Sequence, residues 1–424
     1  MNLLRTTVAL SAMLVAGAAI AQDANGITVW ADATRQPAVE AFIAAHPEVP
    51  VNLVLDDGSS GASGTFQTKI GLADQAGEGW PDVVFSTQNN DAAWAARETN
   101  GMQAFAQVLN EGFLDEDFLK GFTPGALDPV TVDGKVYGLR NDLAPVLFWY
   151  NKTLLDQFGY AAPTTWEEYQ ELGDKLAAEH PGYFLGAVGD AFEGPYIYYW
   201  SGEAPIFQVE GDSFKSNTSD PNAVKVSNLI DHMVANKTLT LDSVFGANFV
   251  ATADKLVAIP GPAWYAGALF QNPGGVNAKA GDWVAAPPLK WADGAAVTGN
   301  VGGGVWYASS HTQNPEAVKT FLKFVTSDTS VAGTGGLPAY QAAADAWLDK
   351  QASSGFYAGD FKAAIQAAAS SVWNGWGYPN FSPETAWAKV VTPGLAAGKT
   401  MTDLSPAWEQ EMKNEAQVVG YTVD

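Results

Sequence analysis

The sequence predicts an α/β protein of two lobes, each a mostly parallel sheet with flanking helices, on three observations. Short β-rich runs alternate with amphipathic helical stretches. The chain exceeds the roughly 250–300 residues at which single cores divide. No repeat or low-complexity tether separates its halves, so the lobes are expected to be joined by strands that cross between them.

The elements follow in order. Residues 1–21 read as a signal peptide: Arg5 supplies the positive start, Val8 to Ile20 is apolar, and Ala19-Ile20-Ala21 offers a small-residue cleavage site before Gln22. The mature chain is then 424 less 21, or 403 residues. The apolar stretch falls short of the roughly 20 residues a spanning helix needs. Ile27-Thr28-Val29-Trp30-Ala31 reads as a buried strand ending at Asp32. A helix from Gln36 to Ala45 follows, with Pro37 in its first turn and Val39, Phe42 and Ile43 on one face. Val49 to Leu55 is a second strand, residues 58–64 a Gly/Ser loop, and Phe66 to Ala76 a second helix before the strand Val83-Val84-Phe85.

Asp133-Gly134 supplies the turn of a hairpin, and Val146 to Tyr150 is a strong strand. Thr165 and Glu168 have the spacing of a capping box ahead of the apolar face Tyr169, Leu172 and Leu176, which opens a second αβ series. Leu256 to Ile259 reads as a strand closed by Pro260-Gly261-Pro262, and Gly302-Gly303-Gly304 opens another. Asn314-Pro315-Glu316 starts a helix with Val318, Phe321, Leu322 and Val325 buried, and the tail from Asp345 is Ala-rich and mainly helical.

Composition narrows the function classes. There is no Cys, which removes disulfides, thiolate metal sites, Cys nucleophiles and a lipid-bearing Cys after the leader. Free diffusion in a periplasm is the expected address. With 22 basic and 46 acidic residues the net charge is −24, which repels nucleic acid and anionic lipid surfaces. The 15 Trp, 14 Tyr and 21 Phe are mostly core, yet they also supply flat, partly polar surfaces on which a pyranose ring stacks. His46, His180, His232 and His311 lack paired zinc spacing, and no alternating-acid calcium loop is visible, so neither metal nor cofactor is expected.

Several blocks together resemble the family 1 extracellular solute-binding proteins, the maltose-binding-protein-like group. They are Ala38-Val39-Glu40-Ala41-Phe42 through His46-Pro47, Pro81-Asp82-Val83-Val84, Gly134-Lys135-Val136-Tyr137-Gly138-Leu139, Tyr150-Asn151-Lys152, Pro163-Thr164-Thr165-Trp166-Glu167-Glu168, Gly261-Pro262 with Trp264, and Asn314-Pro315-Glu316-Ala317. No one block is specific, but their common order across nearly the whole mature chain is. The resemblance implies a two-lobed periplasmic binding protein fold whose lobes close on a ligand like a hinge. It implies crossings near Asp142–Val146, Val301–Val305 and Leu337–Gln341. The lobes would comprise residues 22–142 with 303–338, and 143–302 with 339–424. It also implies capture of a small carbohydrate, from mono- to oligosaccharide, by a monomer that hands it to the permease of an ABC importer and does no chemistry.

Ligands of open α/β sheets lie beyond the carboxyl ends of the strands. That rule selects Asp32 and Arg35 after the first strand, Ser60 in the Gly/Ser loop, and Gln88 and Asn89 after the third; capping of the next helix is the bland alternative for Asp32. Asp142 sits at the first crossing, to meet sugar hydroxyls or to pair with Arg140 or Arg35. Ala144 stands where the maltodextrin binder carries a glutamate, so the cargo need not be maltose. Tyr196, in the run Glu193 to Trp200, resembles the family's aromatic wall, with strand-like alternation sending two of its four aromatics to the cleft. Trp264 matches the family's stacking tryptophan, with Tyr265 as the alternative register. Gly302 and Gly303 admit close backbone approach to a ligand or form a tight turn. Trp376 and Asn380 belong to a turn-rich Trp/Asn/Gly cluster from which one ring is expected to cover the cleft mouth.

Two rivals remain. A polyamine, amino acid or other charged solute fits the acidic balance, because a cation cage uses the same residue types. A glycoside hydrolase also needs acids near aromatics, but no catalytic pair, nucleophile elbow, phosphate loop or dinucleotide fingerprint stands out.

Overall fold

The structure, a computed structural model, describes residues 26–56, 65–87, 91–98, 103–333 and 336–424. The leader with its cleavage site, Ser60, Gln88 and Asn89 lie outside the described residues. Within them, no helix is long and apolar enough to cross a membrane.

The chain begins β1 (Ile27–Ala31), α1 (Gln36–Ala45), β2 (Val51–Leu55), α2 (Thr65–Ala76), β3 (Val83–Ser86) and α3 (Asp91–Ala95). The hairpin β4 (Thr131–Val132) and β5 (Lys135–Val136), then β6 (Leu139–Arg140), β7 (Asp142–Leu143) and β8 (Val146–Asn151) follow. Next come α4 (Trp166–Glu179), β9 (Phe207–Glu210), β10 (Ser213–Ser216), α5 (Pro221–Ala235), β11 (Ala258–Pro262) and β12 (Trp283–Ala286). The last part holds β13 (Val305–Ala308), α6 (Pro315–Ser327), β14 (Leu337–Pro338), α7 (Gln341–Ser353), α8 (Phe361–Ala369), α9 (Met401–Val418) and β15 (Thr422–Val423).

Two sheets carry two separate cores. The first runs β2-β1-β3-β13-β6. Its first three strands are parallel, with Ile27 opposite Val51 and Val29 opposite Val83, while β13 is antiparallel to β3 and β6. Val29, Phe42, Phe85, Trp306 and Phe321 pack its core. Of the face expected on α1, Val39 and Phe42 are buried and Ile43 is left 38 % exposed. On α6 all four expected residues are buried.

The second sheet, β11-β8-β12, is antiparallel throughout, so the mostly parallel sheet expected for this lobe is corrected. Both neighbours of β8 arrive from more than 100 positions further along the chain rather than through a direct βαβ crossover, and nothing fixes them parallel. β11 also runs on through Pro260-Gly261-Pro262 instead of stopping there. It is an edge strand, where a missing N–H on the open side costs nothing. This lobe holds most of the aromatic excess: Trp149, Trp166, Trp283, Trp376, Trp387 and Trp408 are fully buried in its core.

Local signals were followed closely. Asp133 (φ 50°) and Gly134 (φ 77°) take the left-handed backbone that a two-residue hairpin needs. Thr165 caps α4 by accepting from the Glu168 N–H, but the Glu168 carboxylate reaches back one residue too far, to the N–H and hydroxyl of Thr164.

Three stretches run side by side between the sheets. β7 pairs with β14, Leu143 opposite Leu337 and Asp142 opposite Pro338. On its other flank the segment 299–304 is tied on through Val146 N–H to Gly299 O, Val301 N–H to Ala144 O and Asn141 N–H to Gly304 O. The candidate site is built on this ribbon.

Candidate functional site

β1 ends at Asp32, and the turn into α1 brings Arg35 back over it. Asp32 accepts the Arg35 N–H at 2.9 Å, and its second oxygen lies 3.4 Å from Nη1. Arg35 Nη2 reaches Asp142 on the ribbon at 3.6 Å, and the guanidinium stacks 4.3 Å from the Phe85 ring. Asp142 Oδ1 also accepts from Asn141 Nδ2 at 3.0 Å and the Gly304 N–H at 3.1 Å. Two buried carboxylates thus share one guanidinium whose Nε has no protein partner. The partner of Asp142 is Arg35, one of the two basic residues expected there; Arg140 instead donates Nη2 to the Asp142 and Gly302 carbonyls, both at 3.2 Å.

Gly302 (φ 77°) and Gly303 (φ 93°) form a left-handed turn that makes room for Arg140. A Cβ on Gly303 would collide with the Arg140 guanidinium. Asn300, not singled out from sequence, fastens this turn by accepting from Ala144 N–H and donating to Gly302 O.

Trp264 follows β11 and meets the same ribbon. Its indole N–H donates to Val301 O at 3.0 Å. The part-exposed ring lies parallel to Phe245, with centroids 6.1 Å apart at 17°, and 6.0 Å from Phe192. Phe245, 51 % exposed, was missed because a lone Phe in a loop carries no periodic signal. Tyr265 lies fully buried beneath Gly261, so the alternative register is corrected: the edge strand turns its ring into the core.

The Glu193–Tyr199 run is a wide-turned helix rather than an alternating strand, so the alternation is corrected. Tyr198 and Tyr199 are fully buried, while Tyr196 stays partly exposed, 6.0 Å from Trp200. Trp376 is 1 % exposed, bonds Ala204 O through its indole N–H at 2.7 Å, and stacks on Trp200 at 4.9 Å. It is therefore a core residue and not a cover for the cleft mouth; the left-handed Gly377 (φ 72°) turns the chain so that the ring folds inward. Asn380 is held beside the C-terminal strand, its N–H donating to the Tyr421 hydroxyl, and its buried Oδ1 has no protein partner.

The second lobe adds acids that sequence reading passed over among 46 candidates. Glu193 is completely buried, with one oxygen accepting the Asp190 N–H at 2.9 Å and the other unpartnered. Burial, together with the charge of Asp190, pushes its carboxyl well above the usual range. Burial raises Glu384 to about 7, again with Asp190 adding to the effect.

Two lobes joined by a three-stranded ribbon, with polar and aromatic side chains gathered on that ribbon, define a hinged binding protein. The chain belongs to the bacterial extracellular solute-binding protein family, whose model matches residues 37–353. It is 26 % identical over 333 residues to a lactose-binding protein of Rhizobium radiobacter, covering 74 % of each chain. It superposes on the galacto-N-biose/lacto-N-biose I-binding protein of an ABC transporter from Bifidobacterium longum with a TM-score of 0.75 at 19 % identity, covering 94 % of this chain and 98 % of that one. A transporter-associated binding protein from B. animalis subsp. lactis, solved with β-1,6-galactobiose, gives 0.73 at 22 % identity, covering 94 % and 99 %.

Proposed function

We propose that this protein captures a small carbohydrate between its lobes and delivers it to the permease of an ABC importer. One observation carries the reading: the Trp264 ring is anchored on Val301, while the Asp32–Arg35–Asp142 cluster is anchored on Gly304, three residues along the same ribbon segment across the Gly302-Gly303 turn. A stacking surface and a bidentate hydrogen-bonding cluster so close together suit the two faces of a sugar, apolar C–H and hydroxyl. The named cargoes of the relatives, lactose and galactose-containing disaccharides, support the same class. Hinge closure at the ribbon would exclude water and gather weak polar contacts into useful affinity. The reading includes a monomeric, non-catalytic, periplasmic protein, cleaved after Ala21, with lobes dividing near residues 142, 302 and 338.

A second reading has its own support. Asp190, Glu193 and Glu384 lie near one another in the second lobe, and among the described residues none of them has a basic partner within ion-pair distance, which favours a cationic solute such as a polyamine. A thermal-shift screen of the mature protein against mono-, di- and oligosaccharides, amino acids and polyamines separates the two. Ligand at 100 times its dissociation constant adds about 2.7 kcal/mol to the folded state. A shift with one sugar class, lost in Trp264→Ala without loss of folding, supports the carbohydrate; a shift with cations alone replaces it, and consumption of a bound sugar would make the protein a hydrolase.

A further inference from the structure

A cavity of about 560 Å³ lies on the side of the ribbon away from Trp264 and Arg35. The first crossing sends side chains to both sides of the ribbon. Asp142 turns to Arg35, whereas Leu143 and Pro145 line the cavity. None of Asp32, Arg35, Asp142, Phe245 or Trp264 contributes to its wall. Both lobes do: Thr123 to Ala126, Pro129 and Arg140 on one side, Leu348 of α7, Ile365 of α8 and Tyr378 on the other.

Arg140 gives this space its chemistry. It is 2 % exposed, its Nη2 is met only by two backbone carbonyls, and its Nε has no protein partner. Among the described residues no carboxylate lies within ion-pair distance of it, since Asp142 is engaged by Arg35. The charge of Asp142 bears on it only from beyond ion-pair distance, and a buried guanidinium bonded to carbonyl oxygens alone is an incomplete arrangement. The remaining wall alternates aliphatic side chains with the amides of Asn300, Gln341, Gln366 and Asn374 and the Ser370 hydroxyl, and Tyr378 is its sole aromatic, a poor stacking surface for a sugar. Asp128, exposed on the rim, disfavours a second negative charge on any occupant.

We propose that this cavity is a second small-molecule site, for a monocarboxylic acid with an apolar body whose carboxylate meets Arg140. The volume lies within the range of about 300–1,000 Å³ usual for small-molecule pockets. A carboxylate also matches the planar donor fork of arginine better than a neutral group does.

Octanoate, octanamide and octylamine, titrated calorimetrically into the full protein, test the assignment. Octanoate is expected to bind 1:1, with octanamide about tenfold or more weaker, the loss of one charge-assisted contact, and octylamine weaker still. Arg140→Gln should remove the preference for the acid. Because that change touches the ribbon, Ala369→Trp provides an independent block: it fills the cavity from a half-buried position on α8, leaves Arg140 in place, and should cost about tenfold or more in octanoate affinity. Trp264→Ala should leave octanoate binding unchanged. Equal affinity for acid and amide, no saturation by ~10 mM, or loss of binding in Trp264→Ala would each overturn the proposal.

Discussion

Replacing Gly303 by Ala tests the ribbon at its tightest point. The residue sits at φ 93°, where a side chain costs about 1–3 kcal/mol in backbone strain. The new methyl would run into the Arg140 guanidinium and stand 2.8 Å from Asp142 O. Arg140 is the movable partner, but moving it breaks its bonds to Asp142 O and Gly302 O. Hydrogen bonds to charged groups contribute about 1.5–3 kcal/mol each, and partial relaxation recovers some of that, so a total loss of about 3–5 kcal/mol is expected. Gly302→Ala is the internal control. It has a similar φ of 77°, but its nearest neighbour is Thr87 O at 3.9 Å, so strain alone applies, about 1–2 kcal/mol. Urea unfolding of both variants, followed by tryptophan fluorescence, gives the comparison. A Gly302→Ala midpoint lowered as far as that of Gly303→Ala would refute the steric account of Arg140.

Glu384→Gln should alter the pH dependence of stability. The folded carboxyl titrates at about 7 against 4.5 in the unfolded chain, so its contribution is fully present below 4.5 and lost as pH rises through 7. Glutamine stays neutral, and the variant should gain up to about 3 kcal/mol over the parent at ~pH 8 and nothing at ~pH 4, read as the difference in thermal midpoints. Trp376→Ala should cost about 3–5 kcal/mol in unfolding free energy, as befits a core ring; a loss under ~1 kcal/mol would return it to the surface. Thr165→Ala should cost about 1 kcal/mol through loss of the α4 cap, measured by the same urea titration.

What the sequence made legible was local. β1, α1 and α6 were readable because a first-turn Pro and apolar spacing act within one or two turns of chain. The Glu193–Trp200 run failed that test: with Tyr at 196, 198 and 199 and Trp at 200, a period of 2 and a helical period fit equally, and only packing under Trp387 decides. Of the candidate site, Asp32, Arg35, Asp142 and Trp264 were singled out from strand ends and resemblance; Asp142 lies on the ribbon, and Arg35 and Trp264 reach it from either lobe. Their mutual pairing was not readable, because Arg35 and Asp142 stand 107 positions apart and no local pattern records such a contact. Trp376 was misread for a related reason: turn residues mark where the chain bends, not to which side a ring is thrown.

The position of β13 in the first sheet has a consequence for synthesis. β3 pairs on one side with β1, made early, and on the other with β13, which begins 219 positions after β3 ends. At about 5–20 residues per second the ribosome needs some 10–45 s to cover that distance. Throughout this interval Val83-Val84-Phe85 presents an apolar strand with one open edge, the form most prone to pair with a stranger. The first lobe to be translated is therefore the one that must wait. Its completion depends on a strand delivered only after nearly all of the second sheet has been made, while the second lobe in turn awaits helices from the last eighty residues. The first lobe can close once α6 is made, whereas the second stays unfinished, and in need of protection, until translation is almost over.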